Sequence, residues 1–86
     1  MTISVELTLM PLQNNFEAPI IKFIQQLRAS GFTVMENPLS TQIYGDYDKL
    51  MPYLTQEIKT AFEKEENVVL NMKIVKSDRS NYERNY

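Results

Sequence analysis

The order of hydrophobic periodicities along the chain is the feature that most constrains its fold. Apolar residues alternate with polar ones from Ile3 to Leu9, the period-two pattern of a strand with one buried face. Between Phe16 and Leu27 they recur every three or four residues, which predicts an amphipathic helix. Alternation returns in residues 32–36 and 41–43, on either side of the turn signal Asn37-Pro38. This part of the chain therefore predicts a strand, a helix and a hairpin.

The second half of the sequence repeats the pattern of helix and strand. Residues 47–62 again show helical spacing, and Asp46 is in position to cap the helix N-terminus. Pro52 predicts either a distorted opening turn or a helix that begins nearer Lys49. The alternation in residues 68–75 predicts a fourth strand that buries Val68, Leu70, Met72 and Ile74.

Two β-α-β units joined by a hairpin predict the α+β ferredoxin-like fold, in the order βαββαβ. Right-handed crossovers give a four-stranded antiparallel sheet, ordered 4-1-3-2, with both helices on one face. We expect one domain over residues 1–76 and a polar C-terminal tail over residues 77–86. The predicted core comprises Val5, Leu7, Ile24, Leu27, Val34, Ile43, Leu54, Ile58, Leu70 and Met72.

The sheet face away from the helices is predicted to be mostly polar. The alternation leaves the phase of the second strand open and places nine other residues there: Ser4, Glu6, Thr8, Met10, Ser40, Gln42, Tyr44, Asn71 and Lys73. Met10 and Tyr44 are unusual on a face in contact with water. We therefore expect a homo-oligomer, a dimer or a tetramer, that covers this open sheet face.

Composition excludes several classes of function. The chain has 86 residues with no cysteine and no histidine, which removes zinc enzymes, cysteine proteases and Ser-His-Asp hydrolases. A net charge of -2 gives no positive field for nucleic acid, and no apolar run is long enough for a membrane span. We expect a cytoplasmic protein with no catalytic residues, no metal site, no cofactor, and neither nucleic acid nor membrane as a partner.

Three segments resemble a known family: Met10-Pro11-Leu12, residues 39–48 (LSTQIYGDYD) and residues 69–74 (VLNMKI). With the order of elements, they are similar to the small thiamine-binding proteins. The resemblance implies a ferredoxin-like protein that binds thiamine, or its hydroxymethylpyrimidine precursor, without catalysis. It also implies dimers or tetramers that assemble through their sheets.

An aminopyrimidine offers paired hydrogen-bond donor and acceptor edges, and the thiazolium of thiamine is cationic, so a site needs carboxylate, amide and aromatic groups. The candidate ligand-binding residues are Glu6, Thr8, Glu36, Ser40, Thr41, Tyr44 and Asn71.

Six of the seven candidates, all but Thr8, also have a structural alternative. Glu6 could pair with Lys73 across strands, and Tyr44 could anchor a subunit interface. Ser40 and Thr41 could cap the turn before them, and Glu36 could simply be solvated at the end of its strand. Asn71, in the middle of an apolar strand, must find a hydrogen-bond partner if it is covered.

Two other functions remain open on the sequence alone. A ferredoxin-like regulatory or interaction module, similar in role to ACT domains, would sense another small molecule. A cofactor-free enzyme of the small dimeric α+β-barrel kind would need an enclosed polar cleft, for which the sequence offers only tyrosine and glutamate.

Overall fold

The computed structural model describes residues 1–81 and contains the six predicted elements in the predicted order. They are β1 (Thr2–Pro11), α1 (Glu17–Arg28), β2 (Thr33–Glu36), β3 (Thr41–Asp46), α2 (Tyr47–Lys64) and β4 (Val68–Val75). All pairings in the sheet are antiparallel, and the strand order is β2-β3-β1-β4, which confirms the predicted ferredoxin-like topology.

The strand register sorts the side chains onto the two faces of the sheet as the alternation predicts. Val5 lies opposite Ile43 on β3 and Ile74 on β4, which places all three on the helix side. The pairing of Val34 with the same Ile43 decides the phase of β2 that the sequence left open. Thr33 and Met35 therefore lie on the open face, whereas Val34 and Glu36 lie on the helix side.

The core lies between the helices and the sheet. Five of the ten predicted core residues are fully buried: Val5, Leu7, Leu27, Ile43 and Leu54. Val34, Ile58 and Leu70 are half-buried and pack against them, and Ile24 is also half-buried. The core further contains Ile3, Leu9, Phe23 and Leu50.

The prediction that Met72 belongs to the core is wrong, because its exposed fraction is 40%. Ile74, predicted on the buried side of β4, is 44% exposed. Both lie on the helix side of the sheet, but β4 is an edge strand and the helices pack over β1, β2 and β3. Burial on that side therefore reaches Val68 and Leu70 of β4, which pack against the core, but not Met72 and Ile74.

Prolines and turn residues determine where the helices begin and end. Pro19 is the third residue of α1, inside the first turn, where its missing N–H costs nothing. Gly31, just after α1, has a φ of +89°, a left-handed conformation that suits glycine. The later start proposed for the second helix is wrong, because α2 begins at Tyr47 and includes Pro52 as its sixth residue.

Asp46 occupies the predicted N-cap position of α2 but makes no side-chain capping bond. Its Oδ1 lies instead 3.1 Å from the ammonium group of Met1. Gly45, the residue before Asp46, lies inside β3.

The segment after β4 returns to the sheet at Ser4. The Oγ of Ser4 donates to the Ser77 carbonyl at 2.6 Å and accepts from the N–H of Arg79 at 2.8 Å. The start of the predicted tail is thus hydrogen-bonded to β1, while residues 82–86 lie outside the described part of the chain. Neither helix in residues 1–81 combines the length and hydropathy needed to cross a bilayer.

Candidate binding site on the open sheet face

The open face of the sheet brings together most of the predicted site residues. On β1, Thr8 lies opposite Asn71 of β4, and Glu6 lies opposite Lys73 of β4 and Gln42 of β3. Opposite residues in antiparallel strands lie on the same face and within reach of each other. These five side chains therefore form one polar patch two rows deep, which we call the open-face patch.

The carboxylate of Glu6 is the centre of the open-face patch. Its Oε2 accepts a hydrogen bond from the Ser40 hydroxyl at 3.0 Å, and that hydroxyl accepts one from the Gln42 amide at 2.6 Å. Its Oε1 lies 3.6 Å from the ammonium of Lys73, so the predicted cross-strand pair is confirmed. The Glu6 side chain remains 42% exposed, which leaves carboxylate lone pairs accessible to a ligand.

Asn37 holds Ser40 in position for this network. The Oδ1 of Asn37 accepts hydrogen bonds from the backbone N–H groups of Leu39 at 2.8 Å and Ser40 at 3.0 Å. Because Asn37 makes the hydrogen bonds of this Asx turn, the Ser40 hydroxyl can donate to Glu6. The structural alternative for Ser40, that its hydroxyl caps the turn, is therefore wrong.

Tyr44 lies beside the patch, opposite Ser4. A shallow hollow of about 160 Å³ lies here, and its lining includes Tyr44, Ser4, Glu6, Gln42, Lys73 and Arg79. Burial raises the pKa of the Tyr44 hydroxyl, and the negative charges of Asp78 and Glu6 raise it further. The phenol therefore stays protonated and can donate a hydrogen bond.

Thr41 points to the other side of the sheet, although it follows Ser40 directly. It is 6% exposed and lies opposite Leu7 on the helix side. A hollow of about 180 Å³ opens there between α1 and the 37–40 turn, and Thr8, Ser40 and Thr41 contribute to its lining. Its other walls are mainly apolar, and they come from Leu7, Leu9, Ile20, Phe23, Ile24, Asn37, Pro38 and Leu39.

Glu36 is separated from the other candidates. It lies on the helix side, where the guanidinium of Arg28 donates to its two carboxylate oxygens at 2.6 and 2.7 Å. These bonds lower the pKa of Glu36. The carboxylate is therefore already paired within the chain, and not simply solvated as its structural alternative supposed.

Four residues of the patch and its hollow were not among the candidate ligand-binding residues: Ser4, Gln42, Lys73 and Arg79. Ser4 and Lys73 were predicted on the open face, and Lys73 only as the partner of Glu6. Gln42 lies two residues from Ser40 and shares the face of Glu6, so the alternation of β3 contained a signal for it. Arg79 has no such signal, because only the return of the chain to Ser4 brings it to the hollow.

A scan against family models matches residues 5–85 to the family described as thiamine-binding protein. The match extends through most of the segment that the sequence predicts to be a tail. No curated protein matches the chain.

Solved structures from three organisms share the fold. Protein SP2199 of Streptococcus pneumoniae is 29% identical, with a TM-score of 0.83 over 91% of this chain and 89% of that one. A Thermotoga maritima protein described provisionally as a thiamine biosynthesis or salvage protein is 16% identical, with a TM-score of 0.78 over 86% of this chain and 82% of its own. The hypothetical protein MJ1052 of Methanocaldococcus jannascii is 21% identical, with a TM-score of 0.72 over 95% and 84%.

Proposed function

The chain belongs to the thiamine-binding protein family, and from this we propose that it binds thiamine or hydroxymethylpyrimidine, without catalysis, at the open-face patch. The observation that carries the proposal is the convergence of Glu6, Thr8, Ser40, Tyr44 and Asn71 on one face, around a carboxylate that is still accessible.

The chemistry of the patch is complementary to an aminopyrimidine. The exocyclic amine of the pyrimidine can donate to the Glu6 carboxylate, and its ring nitrogens can accept from the amide of Asn71 or the phenol of Tyr44. The ring of Tyr44 offers a face for stacking the pyrimidine or for the cationic thiazolium. Glu6 adds a negative charge beside a bound cation, although the Lys73 ammonium, 3.6 Å from its Oε1, offsets part of that attraction.

A second copy of the chain would complete this site. The open-face hollow of about 160 Å³ is smaller than the roughly 300–1,000 Å³ of typical small-molecule sites. An oligomer, dimer or tetramer, that brings a partner against this face would enclose the ligand and cover Met10, which is 38% exposed. The role that we propose is to sequester the ligand or hand it over, since the sequence lacks the histidine and cysteine that most often carry acid-base or nucleophilic chemistry.

Calorimetric titration with thiamine and with hydroxymethylpyrimidine tests the proposal. Glu6→Gln and Asn71→Ala each remove a hydrogen bond worth about 1–3 kcal/mol, so affinity should fall roughly 5- to 150-fold. Glu36→Gln is the matched control: it makes the same change in a carboxylate on the opposite side of the sheet. Its affinity should equal that of the wild type.

Melting curves of the same variants separate binding from stability. If Glu6 and Asn71 only stabilise the sheet, their replacement should lower the melting temperature and leave the affinity unchanged. Thr41→Val distinguishes the two sides of the sheet, because a ligand in the helix-side hollow would lose affinity in that variant. No binding by the wild type at millimolar thiamine would contradict the proposed function and favour an ACT-like regulatory module.

A further inference from the structure

A hollow of about 160 Å³ opens between α1 and α2, on the helix side of the sheet; we call it the inter-helix hollow. Its floor is formed by Phe23 of α1 and Leu9 of β1, which are 6% and 7% exposed. Pro19 and Ala61 contribute to its walls, and because both side chains are short they leave the space between the helices open. A cavity of about 150 Å³ lined by apolar side chains binds benzene. The inter-helix hollow therefore has room for one six-membered ring.

Two exposed lysines also line the inter-helix hollow, Lys22 from α1 and Lys64 from α2. Contact with the Lys22 side chain, and then its positive charge, lowers the pKa of the Lys64 ammonium, so the two groups lie close together. The ion pairs found in residues 1–81 involve other residues. Neither lysine is therefore neutralised by direct contact with a carboxylate in that part of the chain.

The other polar groups of the hollow limit the kind of anion that fits. Glu57 and Glu65 belong to the lining, and their charges act on Lys64 less strongly than Lys22 does. A dianion such as a phosphate monoester would be repelled by these glutamates, whereas a carboxylate carries a single charge that the two lysines can share. Thr60, also in the lining, has a hydroxyl that can donate a hydrogen bond to a ligand oxygen.

We infer that the inter-helix hollow binds a small apolar monocarboxylate, with the apolar body of the ligand against Phe23 and its carboxylate between Lys22 and Lys64. Binding removes apolar surface of the ligand and of the floor from water. It also replaces the repulsion between two like charges by two attractive contacts.

This site is separate from the proposed thiamine site. Thiamine is a cation and hydroxymethylpyrimidine is neutral, so neither matches a pair of lysines. The open-face patch also lies on the opposite face of the sheet. The inference therefore stands independently of the proposed function.

Benzoate is a suitable probe, because it combines a six-membered ring with one carboxylate that is ionised at neutral pH. Amide NMR spectra of the protein, recorded during titration with sodium benzoate at constant ionic strength, should show shifts concentrated around Lys22, Phe23, Ala61 and Lys64. For a ligand this small we expect a dissociation constant on the order of 1 mM. Benzamide has nearly the same shape without the charge, and it should bind about tenfold more weakly.

Substitution of the lysines tests the charge contacts. Lys22→Gln and Lys64→Gln should each raise the dissociation constant of benzoate about three- to tenfold, because each removes one exposed charge-assisted hydrogen bond. The affinity for benzamide should stay nearly unchanged. Lys59→Gln is the matched control: it makes the same change at an exposed lysine of α2 outside the hollow, and it should bind benzoate like the wild type.

Ala61→Leu tests the apolar part of the site without a change in charge. The larger side chain should fill the space beside Phe23, so benzoate and benzamide should both lose affinity, by at least about fivefold. The amide spectrum shows whether this variant keeps the fold. The lysine variants change only exposed side chains and test the site independently of it.

Three results would overturn the inference. The first is the absence of localised shifts at about 20 mM benzoate, well above the expected dissociation constant. The second is equal affinity for benzoate and benzamide, or benzoate binding that both lysine variants leave intact. The third is a set of shifts centred on Glu6 and Tyr44, which would place the anion on the open-face patch. Failure to bind thiamine would bear only on the proposed function.

Discussion

Gly45→Ala provides a sharp test of how the sheet packs against the helices. Gly45 lies inside β3 without a positive φ, so the backbone itself accepts alanine. A Cβ at this position would lie 2.7 Å from Cδ1 and 3.0 Å from Cε1 of Phe32. The Phe32 ring packs against Tyr53, with ring centroids 5.6 Å apart, and the Tyr53 hydroxyl donates to the Gln26 carbonyl at 2.9 Å. The ring therefore cannot move away without disturbing Tyr53.

The expected magnitude follows from two opposing effects. The new contact is about 0.7 Å shorter than the 3.4 Å at which ordinary van der Waals contact begins, and overpacking of this kind costs about 1–3 kcal/mol. Alanine also restricts the unfolded chain, which contributes about 0.4–1 kcal/mol in favour of folding. The net result for Gly45→Ala should be a loss of about 0–2.6 kcal/mol in the free energy of unfolding, with a central value of about 1.3 kcal/mol.

In a Phe32→Ala background the clash is absent, so the same Gly45→Ala change should stabilise the protein by about 0.4–1 kcal/mol. Urea unfolding of the four proteins, at one fixed concentration because association also affects stability, measures both steps of the cycle. If Gly45→Ala destabilises equally in both backgrounds, contact with the Phe32 ring is not the cause and the argument is refuted.

Two further predictions concern contacts outside the core. Because Arg28 lowers the folded-state pKa of Glu36 below its ordinary 4.5, the pair adds stability that is fully present above that pH and is lost as the pH falls through the folded-state pKa. Glu36→Gln should therefore be less stable than the wild type in thermal melts at pH 7, with a difference that shrinks at acid pH, whereas a difference independent of pH would contradict this. Ser4→Ala removes both hydrogen bonds to the segment after β4, so trypsin should cleave after Arg79 several-fold faster, and an unchanged rate would show that Ser4 does not hold this segment.

The two strands at the centre of the sheet could be predicted from the sequence in detail. Because side chains in a strand alternate strictly, the pattern of apolar and polar residues alone places Glu6, Gln42 and Tyr44 on one face, and the strand register confirms it. The pairing of Glu6 with Lys73 followed from the same alternation in β4. That these residues contact a ligand stays a prediction.

Other features depended on distant parts of the chain. Ser40 and Thr41 are neighbours in sequence, but the sheet separates them because consecutive side chains in a strand point in opposite directions. Glu36 could be assigned to neither face until β2 had a partner, and the pairing of β2 with β3 placed it against Arg28.

By itself the sequence determined the order of elements, the hairpin and the inward faces of β1 and β3. These features depend on hydrophobic periodicity and turn residues, which act over a few neighbouring residues and can be identified in each segment separately. Only the tertiary structure decided how far the helices extend over the sheet. Met72 and Leu7 carry the same apolar signal in their strands and lie opposite each other, yet Met72 is 40% exposed and Leu7 only 2%. The difference arises because two helices cover the three strands β1, β2 and β3, and the position of an edge is a property of the whole assembly of elements that no single segment encodes.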